Sequence, residues 1–245
     1  MYHDSAGCKV ASCDCKITGR DLRGETRIPP FRSIANITNW LVRLIYVTII
    51  VTIISIGGLL FQSVSFDYNS LDFIFQFIGN VGSIVSIIAV IIGLFWYYRA
   101  NKNIHSFGAK QVWRPILSVI WWFIPVLNLY FPYDVTQQIW KASSPQTKLA
   151  NGMEWQSVPS SKIVKLWWIL LLVSIFGVII VTFSYGLTEA YFDAPESFVD
   201  STADMLSLNI VIISFSTVSI VATIYFLRII KQISIWQEQK SGVSI

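Results

Sequence analysis

Charge is what this chain has least of. Charged residues make up 13% of its 245 positions and hydrophobic residues 54%, whereas an ordinary soluble domain carries about 25% charged residues. With a mean hydropathy of +0.59, the composition excludes one or two soluble domains of this length. Cysteine is scarce too: Cys8, Cys13 and Cys15 all fall near the N-terminus, so no disulfide framework can hold the rest of the chain. Paired carboxylates, HExxH, a glycine-rich phosphate loop and a nucleophile elbow are all missing. Ionisable residues are nearly absent from the apolar runs, and proton-coupled carriers and intramembrane hydrolases need such groups. The expectation is a non-enzymatic protein with no cofactor and no nucleic-acid partner. No apolar stretch precedes residue 40, so the first run is read as an uncleaved signal-anchor.

What the chain does have is long apolar runs. Four stand out: Thr38 to Phe61, Phe77 to Tyr98, Ile163 to Leu187, and Met205 to Leu227, the last continuing into Arg228. Each exceeds the length of about 18 residues at which an apolar helix can cross the hydrocarbon. The basic residues avoid two long stretches, with no Lys or Arg between Arg43 and Arg99 or between Lys165 and Arg228. Acidic residues fill the gaps instead, Asp67 and Asp72 after the first run and Glu189, Asp193, Glu196, Asp200 and Asp204 after the third. The positive-inside rule then places both acidic loops outside and both termini in the cytoplasm. The expected architecture is an all-α integral membrane protein of the cell membrane, its four transmembrane helices forming two in–out–in hairpins. Residues 1–36 form a basic cytoplasmic tail, 37–233 the membrane domain with a cytoplasmic loop at 134–162, and 234–245 a second cytoplasmic tail.

The stretch RPILSVIWWFIPVLNLYFPY, Arg114 to Tyr133, does not fit that simple scheme. It is apolar, but basic residues flank it on both sides. Ile116 to Phe131 is 16 residues, or about 24 Å of helix against a hydrocarbon core of about 30 Å. Pro125 also lacks the N–H that an unbroken helix needs. Residues 113–133 are therefore read as a re-entrant or interfacial segment, with a short fifth span as the alternative. Trp121 and Trp122 either sit at headgroup level or pack within the bundle. After the segment, Asp134–Ala142 suits a short helix with Val135 and Ile139 on its apolar side.

From Phe95 to Ser143 the chain resembles the DUF4328 family of membrane proteins, a domain of unknown function. The residues that carry the likeness are Trp96, Arg99-Ala100, Asn103, Pro115, Trp122-Phe123-Ile124-Pro125, Asn128-Leu129, Pro132 and Trp140. The family supplies no catalytic residues to carry over.

Among these, Arg99 and Asn103 are one helical turn apart and share a face with Trp96. Either they bind a ligand or partner group, or Arg99 reaches lipid phosphate and Asn103 bonds backbone. In the second case the motif would be a structural clasp on carbonyls freed by Pro125 and Pro132. Asn128 needs partners, since an unsatisfied buried polar group costs about 1–3 kcal/mol, and broken helices are where transporters place ligands. Its alternative is a self-satisfying turn. His105 reads as a solvated loop residue. Cys8, Cys13 and Cys15, with His3 upstream, either hold a zinc ion, are free thiols, or serve a lipidated or redox role. Gly79 with Ser83 and Gly82 with Ser86, followed by Gly93, make a small-residue stripe, expected to pack within the chain against Ser214 or Ser216, with homodimerisation as the alternative. The function expected is a scaffold or accessory subunit that presents a cytoplasmic motif surface to the lipid bilayer or a protein partner. The alternative is a small transporter or channel with its site at the re-entrant segment.

Overall fold

The computed structural model of the protein describes residues 29–64, 72–192 and 201–242. The cysteine cluster lies outside the described residues. In chain order the helices are α1 (Ala35–Val64), α2 (Asp72–Ser106), α3 (Leu117–Ile120), α4 (Pro125–Asn128), α5 (Phe131–Ser143), α6 (Lys162–Phe192) and α7 (Ser201–Ser241). Short 3-10 turns occupy Trp121–Phe123 and Glu154–Ser157. Among the described residues, α1, α2, α6 and α7 are the helices long and apolar enough to cross a membrane.

The spans stand side by side in the order α2, α1, α7, α6. Helix α1 packs against both α2 and α7, and α7 packs against α6. Glycines set the closest approaches. A Cβ on Gly82 would collide with Val51 of α1, and one on Gly177 of α6 would collide with Phe215 of α7. Gly82 of the stripe thus meets α1 rather than Ser214 or Ser216 of α7, because α1 is the neighbour of α2 in the row. A Cβ on Gly79 or Gly93 would meet nothing.

Each spanning helix outruns the bilayer. With 41 residues, α7 is about 60 Å long at 1.5 Å per residue, about twice the hydrocarbon thickness. Its surplus belongs at the end that carries both described termini, where Glu238 of α7 bonds Ser33, just before α1. Helix α5 crosses this same end and touches α2, α6 and α7. Most of the buried core lies here, including Ile34, Trp96, Ile104, Val135, Ile139, Ile230 and Ile233, whereas Ile53, Ile84, Ile87 and Val178 farther along the spans are exposed. That is the expected pattern for helices whose outer faces meet lipid.

The contested segment is not a spanning helix. Three prolines divide it. Ile124, before Pro125, is extended at φ −103° and ψ 108°, the conformation that a following proline imposes. Pro132 sits in the first turn of α5, where its missing N–H does no harm. Helix α5 begins at Phe131, earlier than the expected Asp134, and buries Val135 and Ile139 completely. His105 lies in the last turn of α2 rather than in a loop, because α2 continues to Ser106.

Candidate functional site

The family motif and the end of α7 meet in one polar cluster, referred to below as the cap. Asn103 is its centre and is 1% exposed. Its Oδ1 accepts the Arg32 N–H at 3.1 Å, and its Nδ2 donates to the Arg32 carbonyl at 2.8 Å and to Gln237 Oε1 at 2.9 Å. The amide therefore grips the chain just before α1 by both backbone groups, as a neighbouring β-strand would. Gln237, itself fully buried, donates onward to the Ala100 carbonyl and Ser143 Oγ, both at 3.0 Å. One amide pair thereby joins α2, α5, α7 and the segment leading into α1.

The next residue of α7 finishes the first helix. Glu238 Oε1 accepts the Ser33 hydroxyl at 2.7 Å and the N–H groups of Ile34 and Ala35 at 2.9 and 3.3 Å. A carboxylate at a helix N-terminus satisfies donors that have no partner within the helix and complements its dipole. Two residues on, the Lys240 ammonium donates to the carbonyls of Ala142, Ser144 and Thr147 at 2.8, 3.1 and 2.8 Å. A cation at the C-terminus of α5 is favoured by the same dipole. Burial pushes the Lys240 amine down to about 8.

Trp96 and Tyr97 hold the inner rim. Trp96 Nε1 donates to Thr38 Oγ1 at 3.0 Å. The Thr136 hydroxyl gives its proton to the Pro132 carbonyl at 2.6 Å, so the 2.8 Å contact between Tyr97 and Thr136 has the tyrosine as donor. Trp140 stacks edge-on with Trp236 at 4.7 Å.

Asn103 bonds backbone, but not at the carbonyls expected for it. Trp168 takes the Leu129 carbonyl at 3.1 Å, Thr136 takes that of Pro132, and Ser118 takes that of Pro115. Asn103 faces α7 and the start of α1 instead. His105 Nε2–H donates to the Trp113 carbonyl at 3.1 Å. Trp121 stacks on Phe131 and Trp122 packs on Tyr97 and Trp168, which is packing inside the bundle. Arg99 stands apart from Asn103, half-exposed, and lines a groove on the outer face of α1 and α2. The sequence reading missed Gln237, Glu238 and Lys240.

Some polar atoms here are buried without a protein partner: Asn128 Oδ1, the indole nitrogens of Trp121 and Trp122, and both side-chain atoms of Asn101. Asn101 lies one turn from Tyr97 and one from His105, on the face of α2 that meets the proline-broken segment. Above Trp122 a cavity of about 420 Å³ opens between α1, α2, α6 and α7, lined by apolar side chains with Thr48, Thr52, Ser86 and Thr223 among them. No group of three or more His, Cys, Asp or Glu suited to a metal ion occurs among the described residues.

Charge at this end is lopsided. Its carboxylates among the described residues are Asp134, Glu154 and Glu238, and each already accepts hydrogen bonds from the cap, Asp134 from Trp113 and Gln138, and Glu154 from the Asn151 N–H. Arg114, Lys148, Lys162 and Lys165 are exposed around them.

Comparison with curated proteins and with solved structures finds no match. The model of the domain of unknown function DUF4328 matches residues 67–234, well over half of the chain and the whole of the motif, and the protein belongs to that family.

Proposed function

We propose that this multi-pass membrane protein is a non-enzymatic scaffold or accessory subunit of the cell membrane, with both termini cytoplasmic and a rigid basic platform facing the cytoplasm. One observation carries the reading: the carboxylates at this end accept hydrogen bonds from the protein itself, and apart from Lys240, held by three carbonyls, cations such as Arg114, Lys148, Lys162 and Lys165 stay exposed. A surface built this way suits anionic lipid or an acidic face of a protein partner. The motif residues Trp96, Asn103 and Pro132 are buried, so they make the platform stiff instead of touching the partner themselves.

The proline-broken segment fits this picture as an interfacial, re-entrant piece. Phe123 and Val126 at its tip are 70% and 76% exposed, as lipid-facing residues would be. Trp122 packs on Tyr97 and Trp168, which lie within a turn of Arg99 and Lys165. The segment therefore sits close to headgroup level, too shallow to line a route across the membrane.

The test is the size of the complex in mild detergent. The wild type is expected in a species larger than the protein alone, lost when Lys148 and Lys162 are both changed to Glu. A protein of the same size before and after charge reversal would count against the platform. A conduit is the second reading, supported by the 420 Å³ cavity and by the unpartnered atoms of Asn101 and Asn128. It requires a ligand-dependent rise in unfolding temperature that Asn128→Ala abolishes.

A further inference from the structure

The groove on the outer face of α1 and α2 has a volume of about 410 Å³ and is lined by Arg32, Arg99 and Lys102 together with Trp40, Phe95 and Tyr98. Its chemistry is graded along the helices. The cations lie toward the cap, Trp40 and Tyr98 come next, and Phe95 and Ile92 continue toward the centre of the span. Because α1 and α2 are antiparallel and their capped ends coincide, Arg32 lies at the same end as Arg99 and Lys102. Trp40 and Phe95 are 60% and 64% exposed, so the apolar wall is open to whatever surrounds the helices.

The cationic end is positioned rather than loose. Arg32 stands where it does because Asn103 grips both its N–H and its carbonyl. The Lys102 ammonium lies 5.9 Å from the Tyr98 ring, and the Arg43 guanidinium 5.3 Å from Trp40, a further cation beside the groove. None of Arg32, Arg99 and Lys102 forms an ion pair with a described residue. Three cations converge on one hollow, and no described carboxylate answers them.

We infer that this groove binds the headgroup of an anionic glycerophospholipid, with the phosphate between Arg32, Arg99 and Lys102 and the first part of an acyl chain along Phe95 and Ile92. Free phosphate would satisfy the cations but leave the apolar wall without an occupant, which is why the lipid is favoured. The two halves of the family motif then have distinct jobs: Arg99 faces the phosphate, while Asn103 holds a second arginine in place to meet it. The site requires only the four-span architecture and stands independently of the scaffold reading.

The test is native mass spectrometry of the full-length protein in a non-ionic detergent. Phosphatidylglycerol, phosphatidylcholine with the same chains, or sodium phosphate is added. The wild type is expected to retain one phosphatidylglycerol in preference to phosphatidylcholine, and inorganic phosphate is expected not to displace it. A cation at the membrane surface contributes about 1 kcal/mol to anionic-lipid binding, so each of Arg99→Gln and Lys102→Gln should weaken retention about fivefold. Arg228→Gln, at an exposed cation on α7, should leave it unchanged. Arg99→Lys keeps the charge and the fold and should stay near the wild type, which separates loss of binding from misfolding. Equal retention of both lipids, equal loss in Arg228→Gln, or displacement by inorganic phosphate would overturn the inference.

Discussion

The two ends of the same helices are held together by different physics. Along the spans, hydroxyls bond their own helix: Thr52 to the Thr48 carbonyl, Ser86 to Gly82, Ser174 to Leu170 and Thr217 to Ile213. These bonds satisfy the hydroxyl but connect nothing, so adjacent spans are joined by close packing at Gly82 and Gly177. At the cap the bonds run between elements separated by up to 205 residues, and buried amides and a carboxylate join the parts. Lipid offers the spans no hydrophobic drive to associate, whereas water beyond the spans drives burial in the cap and raises the cost of any unpaired group inside it. The family motif lies where the second regime operates.

If the contrast is right, the largest effect should come from Asn103. Asn103→Ala leaves the Arg32 peptide and Gln237 Oε1 without partners and should cost about 3 kcal/mol of stability, measured by thermal unfolding in detergent micelles. Combined with Gln237→Ala it should be clearly less than additive, because one network is removed twice. Additive losses would mean that the two amides do not share a network. Gly82→Leu probes the other regime. Its side chain must displace Val51, a stiff β-branched neighbour, and about 2 kcal/mol is expected for overpacking.

Glu238→Gln keeps an acceptor but removes the charge at the start of α1 and should cost about 1 kcal/mol. Full stability in that variant would show that neutral hydrogen bonding suffices for the cap. Thr52→Val should change stability by less than about 0.5 kcal/mol, since its hydroxyl serves only its own helix. A large loss there would break the distinction between the regimes.

The smallest expected effect depends on pH. Lys240 has its folded pKa pushed down to about 8 from 10.5, so between those values the unfolded chain holds more protons. Stability should therefore rise with pH across that window, relative to a Lys240→Gln control. The rise should be slight. The side chain is half-exposed, and a neutral amine offers two N–H groups to three carbonyls.

The sequence revealed local features and hid distant pairings. The apolar runs and the missing basic residues were enough to locate the four helices that can span, and Pro125 was enough to break the segment between them. Val135 and Ile139 could be assigned to one face from their spacing alone. Nothing local shows that Asn103 meets Gln237, 134 positions away. A signal for Gln237 was nevertheless present. Ile230, Ile233 and Gln237 follow helical spacing and all are fully buried, so the amide continues an apolar stripe at a core position. Read as part of a tail, residues 237–240 lose that register. The partner of the glycine stripe was missed because sequence spacing shows that a face is small, not which helix lies against it.

The most direct test of the cap as one cooperative unit is hydrogen exchange of the protein in lipid nanodiscs, comparing wild type with Gln237→Ala. Exchange is expected to quicken together in residues 32–36, 99–106 and 131–147, all reached through the Asn103, Gln237 and Lys240 network, while residues 170–180 are unchanged. Faster exchange confined to the last turns of α7 would contradict it, and would make the end of that helix an attachment to the cap, not the piece that holds it together.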